Sequence, residues 1–434
     1  MHTWIIEGGS PLRGEVKVSG AKNSITKLMV MSMLTSEPCL FENAPRIGDS
    51  LITQEICEAL GARFSEPGDH VLHIETPEII RSDVPQELGT RNRLAIMMLA
   101  PLLHRTGEAI IPVAAGGDRI GPRPVDFHLE GYRKMGAHVE IRGDAYHVTC
   151  DRLIGAEIEL PFPSVTTTEN LLLAATLAKG RTFIRNAAIE PEIMDMMMCL
   201  QKMGAIIDYS ADRTLVIEGV ESLSGTTHTL MPDRIVAASL ACAAVATRGD
   251  VFVSGARQAD MITFLNTLRR VGGKFEVQDD GIRFYYGGPL NSIALETHVH
   301  PGFMTDWQPP FVLLLTQANG MSVVHETVFE SRFGYVDELI KMGADIALYD
   351  TCLGGRKCRF RFSNYRHSCV IKGPVQLHGA EITVPDLRAG FTYLIAAILA
   401  RGCSTIDGIE HIERGYEDLE GMLRSLGAQI RTAA

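Results

Sequence analysis

The sequence predicts an α/β protein built from six repeated units, three in each of two lobes. Two observations carry this prediction. A glycine-containing motif at helix ends recurs six times, and helices that are apolar on nearly all sides alternate with short strand-like runs. The length agrees, because 434 residues are too many for one ordinary hydrophobic core.

The repeat is marked by an apolar residue, a glycine and a small residue between a helix-like and a strand-like run. A helix C-terminus often needs a left-handed residue before the chain turns into a strand, and glycine adopts that conformation readily. The spacing of 68 to 84 residues predicts one α/β unit per motif. The glycines are Gly61, Gly136, Gly204, Gly272, Gly343 and Gly427.

Two helix-like runs, Leu171 to Ala178 and Ile235 to Ala246, are apolar nearly all round and are therefore expected to be buried. The six units divide as three plus three near Leu230–Asp233. We predict a first domain over 21–230 and a second over 1–20 plus 231–434, closed by the N-terminal strands. A cleft between two similar lobes is a common place for an active site.

Composition limits the classes of partner. The net charge of −11 offers no general basic surface to nucleic acid or anionic lipid, so an anionic substrate must meet a local basic cluster. Nine irregularly spaced cysteines indicate a reducing compartment, and no signal peptide or membrane-spanning run is seen. We predict a cytoplasmic protein, monomeric or weakly homo-oligomeric, without nucleic-acid or membrane partners.

Several potential metal ligands lie close together in the sequence of the C-terminal half. Cys352, Cys358 and Cys369 lie near His367 and His378, but no CxxC spacing accompanies them. That spacing is typical of zinc sites, so the sequence argues against one. No metal site is predicted.

The stretch from Val113 to Arg123 is predicted to be a loop, between a strand-like run at 109–113 and a helix-like run at 125–135. Its glycines and prolines let the backbone swing and then stop it, and Asp118 and Arg123 place charges on it. A mobile loop of this kind suits a closing active site. A surface turn with solvated charges is the alternative interpretation.

Basic residues recur where a strand-like run meets the next helix. Lys22 adds a full charge to a helix N-terminus, which itself attracts anions. Guanidiniums can bind carboxylate or phosphate in bidentate fashion, so the set indicates a polyanionic substrate. Each arginine could instead be exposed or paired with a nearby acid. The arginines are Arg93, Arg123, Arg332, Arg388 and Arg414.

Two acids lie in loops where they could transfer protons. Asp306 could take a proton from a substrate hydroxyl, and Asp118 could supply or receive one on the opposite side. A carboxyl group that donates a proton at neutral pH needs a raised pKa, which loop closure would supply by excluding water. Asp306 could equally be a turn-forming residue.

Taken together, these residues resemble the enolpyruvyl transferases over essentially the whole chain. The resemblance implies a two-lobed inside-out α/β barrel with three βαβαββ-like units in each lobe. The most specific motifs are Ser19–Asn23 (SGAKN), Ile120–Asp126 (IGPRPVD), Pro232–Ile235 (PDRI), Thr305–Asp306, Glu326–Phe333 (ETVFESRF), Asp386–Ala389 (DLRA) and Arg414–Tyr416 (RGY).

The resemblance implies transfer of the enolpyruvyl group of phosphoenolpyruvate to the 3-hydroxyl of UDP-N-acetylglucosamine, the first committed step of peptidoglycan synthesis, without a metal or organic cofactor. By motif match, Asp306 would accept the hydroxyl proton, with Arg332 nearby, and Asn23 would orient the tetrahedral intermediate. Phosphoenolpyruvate would be surrounded by Lys22, Asn23, Arg93, Arg123, Arg388 and Arg414. The nucleotide sugar would contact Asn23, Arg93, Arg123, Pro124, Val125, Asp126, Phe127, Ser164, Val165, Thr166, Thr305, Asp306, Val328 and Arg332.

The chain departs from the family pattern at three points. Asp118 stands where most members have cysteine, so we expect insensitivity to fosfomycin, an epoxide that alkylates the cysteine. Thr166 and Phe162 stand where glycine and lysine are usual, which puts the diphosphate and uracil contacts in question. The segment 349–372 is longer and more basic than expected; it is either an extended hairpin or a contact with acceptor or subunit.

Two alternatives remain open. The same chemistry could serve another acceptor, such as UMP in nucleoside-antibiotic synthesis or shikimate 3-phosphate. A catalytically silent paralogue could instead bind a nucleotide sugar and regulate. Retention of Lys22, Asp306, Arg332, Arg388 and Arg414 argues against the silent paralogue.

Overall fold

The structure is a computed structural model that describes residues 3–113, 121, 124–356, 358–384 and 387–433. Asp118, Arg123 and Asp386 lie outside the described residues, as do the side chains of Arg388 and Ala433.

The described residues form short strands throughout the chain. The strands are β1 Thr3–Glu7, β2 Arg13–Lys17, β3 Cys39–Glu42, β4 Arg63–Gly68, β5 Val71–Glu75, β6 Glu108–Pro112, β7 His138–Arg142, β8 Ala145–Thr149, β9 Glu157–Glu159, β10 Arg181–Arg185, β11 Ile206–Ser210, β12 Thr214–Glu218, β13 Thr226–Thr229, β14 Asp250–Ser254, β15 Lys274–Gln278, β16 Gly281–Tyr285, β17 Leu290–Asn291, β18 Ala294–Glu296, β19 Ala318–His325, β20 Asp345–Tyr349, β21 Ser368–Gly373, β22 Glu381–Thr383, β23 Cys403–Asp407 and β24 Gln429–Ala433.

Helices alternate with these strands. They are α1 Lys22–Ser32, α2 Gly48–Ala59, α3 Gln86–Gly89, α4 Leu99–Thr106, α5 Asp126–Lys134, α6 Val165–Thr176, α7 Pro191–Lys202, α8 Arg234–Ala246, α9 Gln258–Val271, α10 Gln308–Leu315, α11 Val336–Lys341, α12 Leu387–Leu399, α13 Ile409–Glu413 and α14 Leu419–Ser425, with 3₁₀ turns at Arg93–Met98 and Thr305–Trp307.

Residues 20–113 and 124–231 form one compact unit, the N-terminal unit. It contains three sheets, with strand orders β13-β3-β5-β4, β6-β8-β7 and β11-β12-β10-β9. Parallel pairs β3–β13 and β9–β10 adjoin antiparallel hairpins such as β4–β5 and β11–β12. The β9–β10 pair and the β11–β12 hairpin come from one stretch of chain, whereas β13 joins the sheet of β3, β4 and β5 from the end of the unit.

Residues 3–19 and 232–433 form the C-terminal unit. Its three sheets have the strand orders β22-β23-β1-β24, β15-β16-β14-β2 and β17-β19-β21-β20, with β18 also paired to β19. β1 lies between β23 and β24, and β2 lies parallel to β14, so the N-terminal strands complete two of these sheets. Three sheets in each unit account for the sixfold repeat.

The six repeat glycines end helices in the left-handed conformation. Their φ angles lie between 91° and 116°, and the helices concerned are α2, α5, α7, α9, α11 and α14. A side chain at such a φ is strained, which explains why the motif keeps glycine.

The two apolar helices predicted to be buried form the centres of separate cores. In α6, residues 167–176 are all buried, and every residue of α8 is buried. Leu172 belongs to the core of the N-terminal unit and Leu240 to that of the C-terminal unit. Within the described part of the chain, no helix combines the length and apolarity needed to cross a membrane.

Candidate active site

Asp306 and Arg332 form a partly buried ion pair in the C-terminal unit. Asp306 lies in the 3₁₀ turn Thr305–Trp307, which leads directly into α10. Its Oδ1 accepts a hydrogen bond of 2.9 Å from Nη2 of Arg332. The Arg332 side chain is 2% exposed and that of Asp306 is 16% exposed. The buried guanidinium orients a carboxylate that reaches solvent, as a general base requires.

A second carboxylate, Glu326, holds the segment between β19 and Arg332. Its Oε2 accepts a hydrogen bond of 2.9 Å from the hydroxyl of Thr305. Its Oε1 accepts bonds of 2.7 and 3.2 Å from the backbone N–H groups of Val328 and Phe329. Burial raises the pKa of Glu326. Sequence reasoning gave Glu326 no role beyond the motif, because its partner Thr305 lies in another segment.

Buried side chains pack against the residues that follow Asp306 in the chain. The guanidinium of Arg234, from the PDRI motif, lies 5.3 Å from the centroid of the Trp307 ring. The hydroxyl of Tyr335 donates a hydrogen bond of 2.9 Å to Oε1 of Gln308. The direction of Asp306 is therefore fixed by side chains that are themselves buried.

Lys22, the first residue of α1, is paired with an acid that the sequence did not indicate. Its Nζ lies 2.9 Å from Oδ2 of Asp49 in the first turn of α2, and both side chains are largely buried. The pair ties the ammonium group to the start of a helix, where anions are favoured. In the sequence, Asp49 is simply an acidic residue near the start of a helix, and nothing around it indicates the pairing with Lys22.

Asn23, the next residue of α1, is connected to a buried glutamate. Its backbone carbonyl accepts a hydrogen bond of 2.9 Å from Nζ of Lys27, which lies 4.0 Å from Oε2 of Glu169. Burial raises the pKa of Glu169 to about 7, against the lowering effect of the Lys27 charge. Because Glu169 belongs to α6, this contact joins the start of α1 to the helix that begins at Val165.

Arg93 opens the 3₁₀ turn Arg93–Met98, whose start is capped by a 2.9 Å hydrogen bond from the Leu94 N–H to the Asn92 side chain. Burial lowers the pKa of the neighbouring His128 to about 3, and the charge of Arg93 adds to this effect. His128 is therefore neutral at physiological pH and adds no positive charge beside Arg93.

The remaining predicted contacts of the N-terminal unit lie at two helix starts. Pro124 and Val125 precede α5, and Asp126 and Phe127 are its first two residues. At α6, Ser164 occupies the N-cap and its hydroxyl lies 2.9 Å from that of Thr167. Val165 and Thr166 are half-buried in the first turn of α6. Backbone N–H groups at such a turn suit a phosphate group.

Two further arginines belong to the C-terminal unit. Arg414 follows α13 and is half-buried, and Arg388 is the second residue of α12. Of the predicted site residues in the C-terminal unit, the structure brings together Thr305, Asp306 and Arg332. The predicted roles of Asp118 and Arg123 fall outside the described residues.

The chain is similar to known proteins over nearly its full length. Residues 6–423 match the sequence profile of EPSP synthase (3-phosphoshikimate 1-carboxyvinyltransferase). A relative from Protochlamydia amoebophila (strain UWE25) is 50% identical over 432 residues, 98% of this chain and 93% of the relative. Another, from Chlamydia muridarum (strain MoPn / Nigg), is 47% identical over 429 residues, 98% and 97% of the two chains. Both are named UDP-N-acetylglucosamine 1-carboxyvinyltransferase.

Solved structures share the architecture. The enolpyruvyl transferase NikO from Streptomyces tendae superposes with a TM-score of 0.88 at 26% identity, covering all of both chains. EPSP synthase from Acinetobacter baumannii gives a TM-score of 0.77 at 17% identity with the same coverage, which is evidence of fold alone. The predicted fold class is confirmed.

Proposed function

The chain belongs to the enolpyruvyl transferases, and on this premise we propose that it transfers the enolpyruvyl group of phosphoenolpyruvate to the 3-hydroxyl of UDP-N-acetylglucosamine, releasing phosphate. The names of relatives up to 50% identical over nearly the full length support this substrate pair. The Asp306–Arg332 ion pair is the structural observation that supports the chemistry. The reaction is the first committed step of peptidoglycan synthesis and would take place in the cytoplasm.

The proposed reaction proceeds by addition and then elimination. Asp306 accepts the proton of the sugar 3-hydroxyl, and the oxygen of that hydroxyl bonds to C2 of phosphoenolpyruvate. At the same time the methylene carbon of phosphoenolpyruvate gains a proton. The resulting tetrahedral intermediate then loses phosphate from C2 and a proton from the methyl group, which restores the double bond. Arg332 holds the Asp306 carboxylate in place throughout.

The charge of phosphoenolpyruvate requires several cations. We assign its phosphate and carboxylate to five of the six basic residues singled out in the sequence, with Asn23 orienting the intermediate. A set of fixed cations can also offset the negative charge on the phosphate as it leaves C2. Asp49 fixes the position of the Lys22 ammonium group. The five are Lys22, Arg93, Arg123, Arg388 and Arg414.

We assign the proton transfer at the methylene carbon to Asp118, which stands where most enolpyruvyl transferases of this type have cysteine. A carboxyl group and a thiol can both deliver a proton, so the reaction does not require the cysteine. The uridine and diphosphate are assigned to residues 123–127 and to Ser164, Val165 and Thr166 at the start of α6. Thr305 and Val328 complete the acceptor contacts.

The direct test is phosphate release from phosphoenolpyruvate with UDP-N-acetylglucosamine as acceptor. The Asp306→Asn variant should lose about 10²- to 10⁴-fold in kcat, the usual contribution of a positioned general base. Asp345→Asn, an exposed aspartate on β20 of the same unit, is the matched control and should keep full activity. Equal activity of Asp306→Asn and the control would disprove the assigned base.

A second candidate keeps the chemistry and changes the acceptor. The likeness to the enolpyruvyl transferase NikO, at a TM-score of 0.88, is the observation that favours it. UMP and shikimate 3-phosphate are therefore run beside the nucleotide sugar. Release with UMP alone would move the enzyme to another acceptor, and silence with all three in a protein that binds UDP-N-acetylglucosamine would indicate a regulatory paralogue.

A further inference from the structure

Four side chains with metal-binding chemistry meet beside the β19–β21 strand pair of the C-terminal unit. They are His325, Cys352, Cys358 and His367, and one ligand atom of each lies within 4.8 Å of all the others. His325 ends β19, and His367 directly precedes β21. The centroids of the two imidazole rings lie 5.3 Å apart. Both cysteines belong to the connection between β20 and β21.

Each imidazole has a polar partner at Nδ1, which leaves Nε2 available to a metal. Nδ1 of His325 lies 3.4 Å from Oε2 of Glu296, and Nδ1 of His367 lies 2.6 Å from the carbonyl oxygen of Tyr365. Metal-binding histidines are typically oriented by such carboxylate or carbonyl partners. Nε2 of His367 lies 3.3 Å from Sγ of Cys352. Nε2 of His325 is buried and finds no hydrogen-bond partner among the described residues.

The surrounding chain is built closely around these groups. A Cβ on Gly354 would lie 2.0 Å from Nδ1 of His325 and 2.5 Å from Oε2 of Glu296, so only glycine fits there. The backbone N–H groups of Gly355 and Arg356 donate hydrogen bonds of 2.9 and 3.1 Å to the same carboxylate. The Glu296–His325 pair is therefore enclosed by the β20–β21 connection.

We propose that His325, Cys352, Cys358 and His367 form a structural Zn²⁺ site. Two thiolates and two imidazoles are the ligand set of tetrahedral structural zinc, and the soft sulfurs exclude Mg²⁺ and Ca²⁺. With Zn–S of about 2.3 Å and Zn–N of about 2.0–2.1 Å, tetrahedral ligand atoms lie about 3.3–3.8 Å apart. A small contraction of the present arrangement reaches that geometry. Binding displaces the two thiol protons.

The sequence argued against zinc because the cysteines lack CxxC spacing. The structure supplies the missing ligand from His325, 27 residues before Cys352, which no local pattern connects to the cysteines. Two residues considered from the sequence take no part in the group. Cys369 packs in the hydrophobic core on β21, and His378 lies in the segment that precedes β22.

The site would fix the connection between β20 and β21, residues 350–367, against the segment that leads to Arg332. The backbone N–H of Glu326 donates a hydrogen bond of 2.8 Å to the carbonyl of His367. Arg359 donates to the carbonyl of Val328 and lies 3.2 Å from Oε1 of Glu330. Zinc would thus stabilise the segment that positions Arg332 and, through it, Asp306. It would take no part in the proposed reaction itself.

The test is metal content together with a spectroscopic signature. Protein purified from zinc-supplemented cells should contain one Zn²⁺ per chain by elemental mass spectrometry. Dialysis against a strong chelator under reducing conditions should remove it and lower Tm by several degrees, and added Zn²⁺ should restore both. Co²⁺ added to the stripped protein should give the visible absorption of a tetrahedral site and a thiolate charge-transfer band.

The Cys352→Ser and Cys358→Ser variants should each lose the metal and the Co²⁺ bands. Cys403→Ser, an exposed cysteine on β23 of the same unit, is the matched control and should keep both. Gly354→Ala should weaken metal binding while leaving all four ligands in place. Three results would overturn the proposal. They are zinc that persists in both cysteine variants, a disulfide between Cys352 and Cys358 in protein purified under reducing conditions, and the absence of Co²⁺ bands after Co²⁺ is added to the stripped protein. These readouts are independent of enolpyruvyl transfer.

Discussion

At the scale of single residues, Asp118 determines the expected response to fosfomycin. A carboxylate is a poor nucleophile toward an epoxide, whereas a thiolate attacks it readily. We expect the native enzyme to keep its rate of phosphate release after prolonged incubation with fosfomycin. Asp118→Cys should be inactivated with time and gain the mass of one inhibitor. Cys403→Ser in the same background controls for the exposed cysteine. Stoichiometric inactivation of the native enzyme would contradict this expectation.

Glu169 gives a pH-dependent stability with a defined sign. Burial raises its pKa from 4.5 to about 7. Between these values the unfolded chain has released the proton while the folded chain retains it, so the folded state loses stability as pH rises. The shift corresponds to up to about 3 kcal/mol.

Glu169→Gln removes the titration. The free energy of unfolding of this variant, measured in urea relative to the native protein, should therefore increase between pH 5 and pH 8. The charge interaction with Lys27 exists only when Glu169 is ionised and is already part of this titration, so the slope against pH is the informative quantity. Glu159→Gln, an exposed glutamate on β9, should show no such slope. A flat difference for Glu169→Gln would show that this carboxylate does not titrate there.

At the scale of elements, the repeat glycines divide into two kinds. At Gly204, φ is 102° and an added Cβ would have no neighbouring atom of the described residues within 4 Å, so alanine would meet backbone strain alone. At Gly61, φ is 116° and the Cβ would lie 2.3 Å from the carbonyl oxygen of Glu78. Alanine there would also force the backbone apart.

We therefore expect unequal costs from the same substitution in the same unit. Gly204→Ala should lower the free energy of unfolding by about 1–2 kcal/mol, the cost of a left-handed side chain. Gly61→Ala should cost about 1–3 kcal/mol more, since overpacking adds to the strain. Urea unfolding of the two variants provides the comparison. Equal losses would mean that the close contact at Gly61 relaxes without cost.

Local patterns predicted the elements better than the contacts between them. The left-handed glycines and the buried helices α6 and α8 follow from motif and periodicity within one segment, and both were predicted. The strand predicted at 109–113 is displaced by one residue. In contrast, the partners Asp49 and Glu326 were missed, because each interaction joins segments that only the folded chain brings together.

At the scale of the whole molecule, each unit has a hydrophobic core of its own. The chain has two tryptophans, Trp4 and Trp307, and both are buried in the core of the C-terminal unit. Tryptophan fluorescence therefore reports the C-terminal unit alone, whereas far-UV circular dichroism reports both units. Proteins with more than one core commonly depart from two-state unfolding.

Two matched core substitutions should separate the units. Leu172→Ala in α6 and Leu240→Ala in α8 each remove a fully buried side chain, and each should cost about 2–5 kcal/mol. With Leu172→Ala, the circular dichroism transition in urea should begin before the fluorescence transition, because the unit without tryptophan unfolds first. With Leu240→Ala, the fluorescence transition should move to lower urea. Coincident transitions in both variants would show that the two cores unfold as one cooperative structure.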